Sequence, residues 1–174
     1  MAKVEGMAVP QPARIPRTRN EARAGMQPQS VIIHERLAHW SRQLRPRFRG
    51  WPIRWSETRS RAELVRATAR AACPILVIDL ADRPIRGLED LGAALAAVPT
   101  ALSLVLGPGS DPAVGMTARE LGATLVLPGV VVPPEVVGLL RRWLPLARQR
   151  TETGGWSAPS EPDPSNPIPW QPVR

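Results

Sequence analysis

The sequence predicts an α/β fold, a five-stranded doubly wound parallel sheet between two layers of helix. Five short apolar runs alternate with five stretches of helical periodicity in about 120 of the 174 residues. Such alternation marks repeated strand–helix units. One run, ILVIDL (75–80), is continuous and rich in β-branched residues, as a central parallel strand covered on both faces requires. Right-handed crossovers follow, and the unit lengths suit a flavodoxin-like (βα)5 sheet in three α/β/α layers.

The elements follow in order. SVIIHE (30–35) is a short strand, and after it Leu37, Trp40 and Leu44 fall at helical spacing. WPIRW (51–55) is a weaker strand with polar alternates. Ser60 and Glu63 form an S-x-x-E capping box ahead of a helix whose stripe is Leu64, Val65, Ala69 and Ala72. ILVIDL is the third strand, and Leu88, Leu91, Leu95 and Val98 face one way on the third helix. TALSLVLG (100–107) is the fourth strand, with Asp111 and Pro112 as cap and first residue of the next helix and Gly122 as its stop. ATLVLPG (123–129) is the fifth strand. The closing helix starts at Pro133 and Pro134 and turns Val136, Leu139, Leu140 and Trp143 inward.

The ends read differently. Residues 1–29 hold four prolines and five basic side chains without an apolar period, which predicts a disordered basic arm. Residues 151–174 hold six prolines and predict a disordered tail leaning to polyproline II, with Trp170 as a candidate anchor for a proline-reading partner. The folded domain is expected over residues 30–150.

Charge is uneven. Residues 1–70 carry 15 basic and 5 acidic side chains, a surplus of +10, whereas residues 71–174 carry 8 and 10, a deficit of −2. Cys73 is the only cysteine, so no internal disulfide and no thiol cluster can form, and it reads as a small buried hydrophobe. His34 and His39 have no further Cys or His to complete a metal site, and neither a metal nor a cofactor is expected. No run approaches the ~18 apolar residues of a membrane span, and no signal-peptide core is present. The expectation is a cytoplasmic protein with no membrane partner.

Few stretches carry chemistry. GPGSDPAVG (107–115) follows a strand and opens a helix, but it lacks the lysine and glycine spacing of a phosphate loop and reads as a plain turn. No Ser/His/Asp set falls on matching strand ends and no carboxylate pair in an obvious cleft, so no enzyme is expected. From Arg36 to Arg70 there are ten arginines, interleaved with Trp40, Phe48, Trp51 and Trp55. Guanidinium groups among aromatic rings can bind phosphates and stack on bases. Arg and Trp are also enriched in protein hot spots. The bland reading makes Trp40 and Trp55 core anchors and the arginines a solvated rim.

The order, the unit lengths and several phrases resemble the receiver domain of bacterial response regulators. ILVIDL is similar to the receiver's LVLLDL and places Asp79 at the phospho-acceptor position. GATLVLPGV (122–130) is similar to GADDYLVKP, and PPEVVGLLRRWL resembles the final receiver helix. The resemblance spans roughly residues 30–147. It implies an acidic pair after the first strand to hold magnesium, where this chain has His34 and Glu35. It implies a hydroxyl after the fourth strand, where Gly107 stands, and a lysine after the fifth, where Gly129 or Pro128 stands. The switch aromatic is replaced by Val126. Without metal, lysine and hydroxyl, little offsets the charge on a transferring phosphoryl group.

These readings combine into a degenerate, non-catalytic receiver-like module that binds a partner protein without phosphorylation. Arg45, Arg47, Arg49, Trp51 and Arg54 are the expected binding residues, while Asp79 and Glu35 are the remnants the resemblance implies. Two alternatives stay open. One is a nucleic-acid-binding regulator using the Arg/Trp-rich face of residues 36–70. The other is an atypical phospho-accepting receiver at Asp79, with Glu35 and Asp82 on the metal. The face by the fourth and fifth strands, which often dimerises in receivers, leaves a homodimer open.

Overall fold

The computed structural model describes residues 28–152 apart from 108 and 110. Nearly all of the expected basic arm and proline-rich tail, Trp170 included, lies outside the described residues. The elements are β1 (Gln29–His34), α1 (His39–Leu44) running into one 3-10 turn (Arg45–Phe48), β2 (Ile53–Thr58), α2 (Arg61–Ala69), β3 (Ile75–Asp79), α3 (Pro84–Ala97), β4 (Leu102–Leu106), α4 (Pro112–Glu120), β5 (Leu125–Leu127) and α5 (Pro133–Glu152). All strand pairs are parallel, in the order β2-β1-β3-β4-β5. This is the predicted five-stranded doubly wound sheet.

Strand side chains alternate between two cores, as a pleated strand demands. Val31, Ile33, Ile75, Val77 and Leu104 meet α1 and α5 on one face. Ile32, Leu76, Ile78 and Val105 meet α2, α3 and α4 on the other. β3 is buried on both faces until Asp79, where the strand emerges. The capping signals work as written. Ser60 Oγ accepts from the Glu63 N–H, and Glu63 Oε2 reaches back to the Arg59 N–H at 2.8 Å. Asp111 Oδ1 accepts from the Ala113 N–H at 2.9 Å, and Gly122 ends α4 at φ +98°, a conformation other residues adopt at a cost.

Three expectations need correcting. Leu37 is 64% exposed and lies ahead of α1, because the chain must first turn away from the sheet before the helix can start at His39. On α2 the buried residues are Leu64 and Thr68, with Ala67 packed beside them, while Ala69 and Ala72 are exposed. This helix covers the edge strand and needs only a narrow buried row. Thr68 enters that row because its hydroxyl donates to the Leu64 carbonyl at 2.8 Å. Phe48, grouped above with the surface aromatics, is only 5% exposed and packs with Trp40 and Leu44. The 3-10 turn that holds it carries Pro46 in its first turn.

Leu140 is a fully buried residue of α5 in the core against the sheet, with Val136 and Ala147. Leu140→Ala is expected to cost ~2–5 kcal/mol through lost burial and an unfilled cavity. Urea denaturation checks this, as a lower midpoint at an unchanged slope.

Candidate functional site

In a parallel sheet every strand ends on the same edge, and ligands of such sheets bind beyond that edge where the strand order reverses. Here the reversal falls between β1 and β3, and a cleft of about 690 Å³ opens there. Its floor is built by the residues that follow these strands. His34 and Glu35 come from β1, Asp79 and Ala81 from β3, Gly107 from β4 and Gly129 from beyond β5.

The polar floor is largely committed. Glu35 is 4% exposed, and both its oxygens are taken: the N–H groups of Trp40 and Ser41 donate to Oε2 and Oε1 at 2.7 and 2.9 Å. The carboxylate therefore caps α1, whose own N-cap Ala38 offers no side chain for the task. His34 sits in a buried chain. Its Nε2 lies 3.2 Å from Asp90 Oδ2 and its Nδ1 lies 3.0 Å from Thr58 Oγ1. A carboxylate oxygen only accepts, so Nε2 carries the proton it shares with Asp90, while Thr58 Oγ1 also lies 3.4 Å from the Ile33 carbonyl. Arg61 Nε donates to the other Asp90 oxygen at 2.7 Å. This chain ties β1 and β2 to α2 and α3.

Among the described residues Asp79 has one hydrogen-bonded partner, the Ala81 N–H, 3.1 Å from Oδ1. Its carboxyl is pushed above the usual carboxylate range, mainly by burial, and also by the negative charges of Glu35 and Asp82; the Ala81 bond and His39 oppose the shift. Asp82 pairs with Arg36 Nε at 2.6 Å. Gly107 has φ +61°, and a Cβ there would meet Ala81 Cβ at 3.2 Å and Asp79 Oδ1 at 3.5 Å. A side chain at this position would press on Ala81 and touch the aspartate. Among the described residues no three His, Cys, Asp or Glu side chains are grouped to hold a metal ion.

No protein-family model matches the chain, and no curated protein matches it. Solved structures do. The signal receiver domain of a Vibrio parahaemolyticus protein superposes with TM-score 0.61 at 11% identity, covering 73% of this chain and 98% of that one. A CheY-like receiver domain from Methanospirillum hungatei JF-1 gives 0.56 at 13%, covering 70% and 98%. A Rhodopirellula baltica structure described as adenylate cyclase gives 0.59 at 12%, covering 72% and 93%. The fold is that of the response-regulator receiver domain.

On the receiver fold, the positions that the resemblance singled out do gather in one cleft: His34, Glu35, Asp79, Gly107 and Gly129 all line it. Geometry brings them together, but the side chains offer little toward a phosphoryl group. The expected binding residues lie elsewhere. Arg45, Arg47, Arg49 and Trp51 belong to the connection from α1 to β2, which leads into the opposite, amino-terminal edge of the sheet. Trp51 is 41% exposed and rests edge-on against Phe48 at 6.1 Å. Arg141 of α5 lies 5.5 Å from the centre of the Trp51 ring and donates through Nη2 to the Arg47 carbonyl at 3.3 Å. Arg45 pairs with Glu57 at 3.6 Å, and Arg47 donates to the Gln43 carbonyl. Arg54 is set apart from these. It alternates with Ile53 and Trp55 along β2, whose side chains pack into the α1/α5 core, and lines a separate pocket with Arg70 and Cys73. Among the described residues no helix is long and apolar enough to cross a membrane.

Sequence reasoning missed Arg141, Asp90, and the arginines Arg59, Arg83 and Arg86 of the cleft wall. Asp90 carried one usable sign, a carboxylate flanked by Leu88 and Leu91 on the inward face of α3. Arg59 carried another, since it directly follows the end of β2, while Arg83 and Arg86 sit at the cap and in the first turn of α3.

Two outcomes follow. Glu35→Gln keeps the shape but turns an amide NH2 toward a backbone N–H, so it is expected to cost about 1–3 kcal/mol, read by denaturant titration. Asp79 binds its proton more tightly when folded, so its ionisation lowers stability as pH rises above the ordinary carboxylate range. Asp79→Asn is therefore expected to raise the melting temperature at neutral pH and to lose that gain in acid, where both side chains are neutral.

Proposed function

We propose that this chain is a receiver-fold regulatory module that engages a protein partner without phosphoryl transfer. The observation that carries the reading is the state of Glu35. A buried carboxylate whose two oxygens each hold an α1 N–H is committed in its orientation to that helix, and that commitment argues against its serving as a magnesium ligand. His34 is engaged with Thr58 and Asp90, and Gly107 and Gly129 bring neither hydroxyl nor cation to Asp79. Asp79 is then a strand-end carboxylate holding a turn.

The connection around Trp51 supports the partner half of the reading. It combines an exposed indole with exposed guanidinium groups, and the Phe48 and Arg141 contacts hold the indole in place before binding. A pre-set aromatic anchor loses little entropy on association. The Arg141 contact also covers part of the ring that a base would stack on, which favours protein over nucleic acid.

Intact-mass measurement after incubation with acetyl phosphate and magnesium is expected to show no added phosphoryl group. A mass gain that disappears in Asp79→Asn would overturn the reading. Retrieval with a tagged chain should give a defined protein that resists nuclease and is lost in Trp51→Ala. Recovery that instead collapses with nuclease and with moderate salt would assign the arginines to a phosphate backbone.

A further inference from the structure

The carboxyl-edge cleft is polarised in a way its receiver-like floor does not explain. One wall is cationic and comes from the loops after β1, β2 and β3 and from the first turn of α3, where Arg36, Arg59, Arg83 and Arg86 all line the opening. Arg36 is neutralised by Asp82. The other three are exposed and have no ion-pair partner among the described residues. The carboxylates nearby are mostly spent: Glu35 on the α1 N–H groups, Asp90 on Arg61 and His34, Asp82 on Arg36. The cleft therefore carries three guanidinium groups outside any ion pair, against Asp79 and against Glu35, whose carboxylate is buried on the α1 N–H groups. The N-terminus of α3 opens at the same wall, with no side-chain cap on its first N–H groups, and adds to the preference for an anion.

The opposite wall is different in kind. It comes from the loops after β4 and β5, and it offers Gly107, Gly129, Val130 and Val131. Nothing lies within 4 Å of the place a Cβ on Gly129 would take, and Val130 is 99% exposed. A surface of bare backbone and aliphatic side chain facing three free arginines suits a molecule with an anionic end and a flat apolar end. The volume of about 690 Å³ is that of a small-molecule site, which typically spans ~300–1,000 Å³. A single inorganic anion would leave most of it empty.

We propose that this cleft binds a phosphorylated small molecule of nucleotide size, with its phosphates on Arg59, Arg83 and Arg86 and its apolar part against Gly129 and Val130. Arginine suits the phosphate end because its planar fork gives paired, charge-assisted hydrogen bonds. The site lies across the sheet from Trp51, so it stands independently of how the partner is bound.

The test is calorimetric titration and thermal shift of the full chain with ATP and GTP, and with inorganic triphosphate and adenosine as the separated halves. A nucleoside triphosphate is expected to bind and to raise the melting temperature. The exposed double variant Arg83→Ala/Arg86→Ala should weaken binding about tenfold or more, and Val130→Asp should weaken it too. Arg47→Ala/Arg49→Ala, at the far edge, should leave it unchanged. The proposal is overturned if neither nucleotide binds, or if binding survives the Arg83/Arg86 change. It also falls if the far-edge variant weakens binding equally, which would make the effect one of net charge. Inorganic triphosphate binding as tightly as ATP would remove the apolar half of the assignment and overturn the size class.

Discussion

Strands buried on both faces emerge from the sheet all at once, so the polar groups just beyond their ends must find partners within the first few residues of each loop. Much of the chemistry of this molecule is an answer to that constraint. Beyond β1 the answer is Glu35, which turns back to hold two α1 N–H groups, and His34, which joins Thr58 and Asp90. Beyond β3 it is Asp79, which takes the Ala81 N–H. Beyond β4 and β5 it is glycine, at φ +61° for Gly107 and +75° for Gly129, where the backbone turns sharply without a side chain to place.

The same gathering of strand ends that lets a receiver fold assemble a phosphorylation site can be put to structural use. A carboxylate buried as deeply as Glu35 is costly unless it is fully hydrogen-bonded. Two N–H donors at a helix start meet that need and also settle where α1 begins. The buried His34 and Asp90, joined by the half-exposed Arg61, work the same way between the sheet and one helix layer: each partner satisfies the next, and removal of one would strand the others. Side chains held this firmly make good scaffolding and poor ligands for an exchanging ion.

The two ends of the sheet are left with different surfaces. At the amino edge, Trp51 is propped by Phe48 and Arg141 among arginines that are partly paired. At the carboxyl edge, three unpaired arginines face an apolar wall across a cleft. Both are rich in guanidinium, yet they differ in what surrounds the charge. That difference separates the proposed aromatic anchor at one edge from the proposed nucleotide-sized pocket at the other.

Much of the fold was legible in the sequence because its signals are local. The continuous run of ILVIDL, the capping residues Ser60 and Asp111 and the stop at Gly122 each act within a few residues of their own position, and each element formed where they placed it. Leu37 and Ala69 misled for the opposite reason, since helical spacing says which residues could share a face but not where a helix starts or how much of it the sheet will cover. The site was only half legible. Order along the chain brought His34, Glu35, Asp79, Gly107 and Gly129 to one edge, because strand ends of a parallel sheet must meet. Asp79 found its partner two residues on, but Glu35 and His34 depended on partners up to 56 residues away, Trp40 and Ser41 for the first and Thr58 and Asp90 for the second. The split of Arg54 from its neighbours, and the gathering of Arg59, Arg83 and Arg86 into one wall, likewise came from strand alternation and crossover geometry. Proximity between distant residues is a property of the packed chain, and only the tertiary structure decides it.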